Sequence, residues 1–160
     1  MEIENLGHII AGHRLFKGLD AGFLELVTGC AKNVRFDAGA YLCHEGDAAS
    51  HIYLLRAGRA ALEISAPGHG AMTFQTLGPN EVIGISWLVP PYHWSFDARA
   101  TEAIRAISLD ATCLRNKCEA DHHLGYEVMK RITPILVDRL HSTRLQVLDL
   151  YGQPRSKTFF

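Results

Sequence analysis

Between Lys32 and Asp110 the chain is cut into short segments by Gly39, Gly46, Gly58, Gly68 and Gly78, and those segments are rich in β-branched and aromatic residues. Short apolar runs between regularly spaced turn signals predict antiparallel strands closed into a barrel or stacked as a sandwich. The pattern places strands at 33–36, 41–44, 51–56, 59–65, 72–77, 96–101 and 104–109. Pro67, Gly68, His69 and Gly70 read as a hairpin tip.

The flanks change period. Ile3, Leu6, Ile9 and Ile10 recur at helical spacing. A second short helix follows the turn at Lys17, Gly18 and Leu19, with Asp20 as its N-cap and Phe23, Leu24, Leu26 and Val27 as its buried face. After the strands, Asp110 caps a short helix through Cys118. Asp121 caps a long one reaching about Leu150. Leu124, Val128, Ile132, Ile135, Leu136, Leu140, Val147 and Leu148 give the long helix an apolar stripe. Pro134 lies inside it, and predicts either a kink or a break into two helices. The fold class is therefore mainly β with flanking helices: an antiparallel β-barrel of jelly-roll type, N-terminal helices, a short helix within the barrel and a long C-terminal helix. The expected organisation is one domain over 1–152, with its barrel at about 32–110 and its C-terminal helices at about 111–150. A mobile tail is expected over 153–160.

Charge excludes some partners. The formal net charge is −1, so no overall basic field holds DNA or an anionic membrane. No apolar run reaches the length of a bilayer span. The acidic start, Met1 to Glu4, lacks the basic region of a signal peptide. Cytoplasmic placement follows as an expectation, with Cys30, Cys43, Cys113 and Cys118 as free thiols.

Two stretches carry a family resemblance. The first is Glu45-Gly46-Asp47 followed by Ile52, Tyr53, Leu54, Leu55 and Gly58. The second is Ile83-Gly84, then Leu88, then Ala98-Arg99-Ala100. Together with the element order, they resemble the cyclic-nucleotide-binding domain of the bacterial catabolite activators, the protein kinase A regulatory subunits and nucleotide-gated channels. The second stretch is similar to that family's phosphate-binding cassette in spacing and hydrophobic frame. The resemblance implies a regulatory domain that binds a cyclic nucleotide. It implies a glutamate after the cassette glycine, accepting from the ribose hydroxyl, and an arginine ten residues beyond that glycine, pairing with the phosphate.

The polar chemistry of the cassette differs. Gly84 is kept, but Ile85 follows it, Trp94 stands at the arginine position and Trp87 at a small-residue position of the cassette helix. Pro90 and Pro91 stiffen the loop. Losing two hydrogen-bonding groups that meet charge costs about 3–6 kcal/mol, so cyclic AMP is expected to bind at millimolar concentration or weaker. The residues expected around the pocket are Gly84, Ile85, Ser86, Trp87, His93, Trp94 and Ser95. Gly84, Ile85 and Ser86 would begin a helix offering free N–H groups, and protonated His93 would stand in for the arginine. The aromatics Trp87, Tyr92, Trp94 and Phe96 suit a flat or apolar ligand, or else fill the pocket themselves. Arg99 reads as an exposed strand charge.

Other constellations are weak. Cys113, Cys118, His122 and His123 match no standard zinc spacing. Ser86 and His93 have no acidic partner placed by a motif. Lys130, Arg131, Arg139 and Arg144 read as a solvated helix face. No catalytic residue, metal or certain cofactor is assigned. The expectation is a non-catalytic ligand-sensing or regulatory module, acting through its C-terminal helix on a partner. The alternative is a ligand-free interaction scaffold whose aromatics close its pocket. The apolar stripe predicts a homodimer, and the pocket a small-molecule ligand. The family's transcription factors continue into a helix-turn-helix after this helix. The chain ends at Phe160, so it is expected not to bind DNA on its own.

Overall fold

The computed structural model describes residues 2–158, and side chains over 6–150. The expected strands form as β1 (Ala31–Phe36), β2 (Tyr41–Cys43), β3 (His51–Ala57), β4 (Ala60–Ala66) and β5 (Gly70–Leu77), then β7 (Asp97–Ala100) and β8 (Ile104–Asp110). The sequence reading missed β6, which is only Val82–Ile83. They assemble into two four-stranded sheets, in the orders β1-β8-β3-β6 and β2-β7-β4-β5, every named pair antiparallel. The jelly-roll arrangement is as expected, but the sheets are not closed into a cylinder. Two edge strands, β6 and β2, have only two and three residues and offer little to pair with.

The core lies between these sheets. β3 pairs on both sides, with β8 and β6, and Ile52, Tyr53, Leu54 and Leu55 are all buried, so its apolar run is continuous rather than alternating. The turn from β3 into β4 needs Gly58. Its φ is 86°, and an added Cβ would collide with the Ala103 carbonyl oxygen.

The helices are α1 (Glu2–Gly12), α2 (Ala21–Thr28), α3 (Ala111–Ala120) and α4 (His122–Thr158). Asp20 accepts from Gly22 N–H, Asp110 from Cys113 N–H, and Asp121 from His123 and Leu124 N–H. These bonds satisfy amides that have no partner inside the helix. In α1, Leu6 and Ile10 are buried; Ile3 lies outside the described side chains. α4 is unbroken at Pro134 and its backbone stays helical to Thr158, through most of 153–160; Phe159 and Phe160 lie outside the described residues. The Thr133 hydroxyl donates to the Met129 carbonyl one turn back, beside the proline. The apolar stripe of α4 divides. Leu124, Val128, Ile132 and Ile135 are buried, whereas Leu136, Leu140, Val147 and Leu148 are exposed.

The cysteine expectation is corrected. Cys30 and Cys113 form a disulfide, with their Cα atoms 5.8 Å apart. Their 83-residue separation hid the pair. Antiparallel pairing of Ala31 with Leu109 brings the end of α2 beside the first turn of α3. Cys43 and Cys118 are free and buried. Burial pushes their thiols up to about 12 and about 11, so both stay protonated and inert near neutrality.

His13 is almost fully buried after α1. Its Nδ1 accepts from Leu15 N–H, and its Nε2 has no partner among the described residues. Burial lowers its pKa from 6.5 to about 4. The unfolded chain therefore takes up a proton that the fold excludes. The stability contribution is complete above pH 6.5 and is lost as the pH falls toward about 4. Linkage gives a loss of about 2 kcal/mol between about pH 7.5 and about pH 5. Denaturant melts of wild type and His13→Gln at both pH values check this. The variant should lose less stability than wild type on acidification, and equal losses would refute it.

Candidate ligand pocket

β6 ends at Ile83 and hands over to Gly84, whose φ of 118° favours glycine. Ile85 then leads into a three-residue 3-10 turn, Ser86–Leu88, with no side-chain cap. The short helix expected here is thus a single turn, too brief for a helical N-terminus that could hold an anion. Arg115 of α3 fastens the segment. Its Nη1 donates to the Trp87 carbonyl at 2.5 Å, and its guanidinium lies 3.9 Å from the centre of the Tyr92 ring. Sequence reasoning missed Arg115, since nothing local links it to a loop more than twenty residues earlier.

The signature turn fixes the other side. Gly46 N–H donates to the Trp94 carbonyl, Trp94 N–H donates to the Asp47 carbonyl, and Glu45 N–H donates to Asp97 Oδ1. These bonds aim Trp94 inward. Its ring stacks on Tyr53 at 6.5 Å and meets Phe96 edge-on at 5.8 Å. A Cβ on Gly84 would lie 3.1 Å from Trp94 Cη2. The indole therefore fills the space beside the cassette glycine.

A cavity of about 360 Å³ remains between this loop and α4. Ile85, Ser86, Leu88 and Val89 form one wall, Ser95 and Phe96 a second, and Met129, Ile132, Thr133, Leu136 and Arg139 of α4 the third. Of the residues expected from sequence, Ile85, Ser86 and Ser95 line it. Gly84, Trp87, His93 and Trp94 do not. Trp87 and Trp94 are packed into the core at 1% and 4% exposure, and His93 is exposed on a bridge to Ala48. The Trp87 Nε1–H finds no acceptor among the described residues.

Sequence reasoning missed the α4 wall: Ile132 and Leu136 read as part of an apolar stripe, Arg139 as a solvated charge, and Met129 and Thr133 carried no reading. The signal was present: Met129, Ile132, Thr133, Leu136 and Arg139 recur at helical spacing. Two arginines correct the solvated-face expectation. Arg131 pairs with Glu127 at 2.7 Å. Arg139 is half-buried and donates to the Val82 carbonyl. Arg99 is also not a lone strand charge. Its Nε and Nη2 each reach a different oxygen of buried Glu63 at 3.2 Å.

No hydrogen bond joins Ser86 to His93 among the described residues, and there no group of three or more His, Cys, Asp or Glu side chains is placed to hold a metal ion. Cys113 is taken up by the disulfide. No described helix is long and apolar enough to cross a membrane.

Residues 33–121 match the family model for the cyclic nucleotide-binding domain. A CRP-like cAMP-activated global transcriptional regulator of Mycobacterium tuberculosis is 23% identical over 91% of this chain and 63% of its own length. The chain thus spans less than two thirds of that relative. Among solved structures, a putative cyclic nucleotide-binding protein from Geobacter metallireducens is 26% identical, with a TM-score of 0.74 over 88% of this chain and 99% of that one. The regulatory domain of Toxoplasma gondii PKA with cAMP is 20% identical, with a TM-score of 0.62 over 71% of this chain and 43% of that one.

Proposed function

The chain belongs to the cyclic nucleotide-binding domain family, and on that premise we propose that it is a non-catalytic sensor whose ligand is not an ordinary cyclic nucleotide. The ligand occupies the cavity between the cassette loop and α4, and its presence is passed on through α4. The carrying observation is the cavity itself. It is about 360 Å³, lined mainly by apolar side chains, with one wall supplied by the helix that would carry the signal. By the family resemblance, position 85 would supply the ribose acceptor and position 94 the phosphate-binding cation; here Ile85 lines the cavity and Trp94 is buried beside it. The homologue described as cAMP-activated supports a regulatory role, not that ligand.

The scaffold reading is favoured by one fact, the burial of Trp87 and Trp94 in the expected pocket. The open cavity beside them favours the sensor. Cytoplasmic placement remains our reading, with the Cys30–Cys113 bond weighing against a strongly reducing compartment.

A thermal-shift screen of metabolites and cyclic nucleotides separates the two. A sensor gains a stabiliser, since binding only to the native state raises the melting temperature. Cyclic AMP should give no shift below about millimolar concentration. Ser95→Phe, which puts a ring into the cavity mouth, should remove the stabiliser's effect. No stabiliser from the whole screen would leave the scaffold; tight binding of cyclic AMP would overturn the ligand reading.

A further inference from the structure

Among the described residues the wall of the cavity contains one cation, Arg139, and no carboxylate forms a salt bridge with it. Its guanidinium donates to the Val82 carbonyl. No carboxylate oxygen lies within 4.0 Å of it among the described residues; the neighbouring acids are engaged elsewhere. Asp138 pairs with Arg14 at 3.5 Å, and Glu81 Oε1 accepts from Gly78 N–H. Burial holds the Arg139 pKa below the usual guanidinium range, with Glu81 opposing that shift and Arg14 adding to it. A half-buried guanidinium hydrogen-bonded to a neutral carbonyl, with Glu81 acting on it only from beyond ion-pair distance, keeps donors for a further anion.

The rest of the cavity limits what can meet it. Ile85, Leu88, Phe96 and Ile132 present hydrocarbon, and the only other polar side chains among the described residues are the hydroxyls of Ser86, Ser95 and Thr133. A second negative charge on a ligand would find no cation there. The volume lies near the lower end for small-molecule sites. Resting on the sensor reading above, we infer that this cavity takes an apolar monocarboxylate, its carboxylate paired with Arg139 and its hydrocarbon body against Phe96 and the cassette loop. A carboxylate fits because its two oxygens match the guanidinium fork.

The probes are octanoate and 3-phenylpropanoate, each against its primary amide of the same shape, by calorimetry on the full chain near pH 7.5. The acids should bind at least tenfold more tightly than the amides. Arg139→Gln should abolish that ratio, and Arg139→Lys should keep part of it. Ser95→Phe should weaken acid and amide together. If Arg139→Gln fails to fold, the ratios of wild type and Arg139→Lys decide. Equal affinity for acid and amide overturns the inference and leaves the sensor intact. Failure of both acids while another compound from the thermal screen stabilises the protein also overturns it. Failure of every compound in that screen overturns the sensor reading as well.

Discussion

Replacing Leu136 and Leu140 together by glutamate is expected to turn a dimer into a monomer. On α4 the residues Met129, Thr133, Leu136, Leu140, Thr143, Val147 and Leu150 follow one another at alternating steps of four and three. That is the spacing of a coiled-coil seam, which keeps one stripe facing a partner helix. The seam lies beside the barrel-facing side, which is marked by buried Val128, Ile132 and Ile135, by Arg139 on Val82 and by Gln146 on Phe74. Leu136 and Leu140 are 47% and 52% exposed in the single chain. A run of large apolar side chains left on a helix is a patch that association would cover. In the dimer four introduced carboxylates would be buried without partners, at a cost of several kcal/mol each, enough to abolish association. Light scattering at micromolar concentration should give twice the chain mass for wild type and the chain mass for the variant. A monomeric wild type sinks the proposal. Met129, Thr133 and Leu136 also line the cavity, so loss of ligand response in that variant would be ambiguous. Val147→Glu with Leu150→Glu lies outside the cavity wall and tests the far half of the seam separately. On the sensor reading, those shared residues are where an occupant of the cavity would touch the seam.

How far the residues announced this arrangement depends on the range of the forces involved. Strands and caps are local. Gly58 at its turn and Asp20, Asp110 and Asp121 at their helix starts were legible because their chemistry acts within three residues. Strand β6 was not, because two residues carry no period. The disulfide escaped because Cys30 and Cys113 meet only through the pairing of β1 with β8. The cassette frame placed Ile85, Ser86 and Ser95 on the pocket wall. For Trp87 and Trp94 the sequence leaves open a ligand wall or a filled pocket; burying a large indole outweighs presenting it to a ligand, and both turn into the core. Arg139 read as a surface charge because helical spacing alone does not say which polar residue of an amphipathic helix falls at the barrel's edge.

The second large effect concerns Trp94. The pair Ile85→Glu with Trp94→Arg is expected to lose much stability and gain affinity for cyclic AMP, and the two readouts come from the same side chains. Trp94 stacks on Tyr53, meets Phe96 and closes on Gly84. Removing a buried large aromatic typically costs about 3–5 kcal/mol. An arginine fills part of that volume but brings a charge that must be hydrated or paired. The melting temperature should fall by roughly 10 °C or more. That same unpaired charge is what a cyclic phosphate would meet. The arginine would extend toward Gly84, and the glutamate at position 85 would stand on the cavity wall as an acceptor for a ribose hydroxyl. A gain of roughly tenfold in affinity, about 1.4 kcal/mol, is expected by calorimetry, with full recovery prevented by the buried Trp87 and by the apolar wall that stays. Cyclic AMP should then raise the melting temperature of the variant while leaving that of wild type unchanged. Trp94→Ala separates the contributions, since it should lose comparable stability and gain no affinity. A folded double variant that binds no better than wild type would mean that Ile85 and Trp94 do not stand where a cyclic nucleotide's ribose and phosphate would lie.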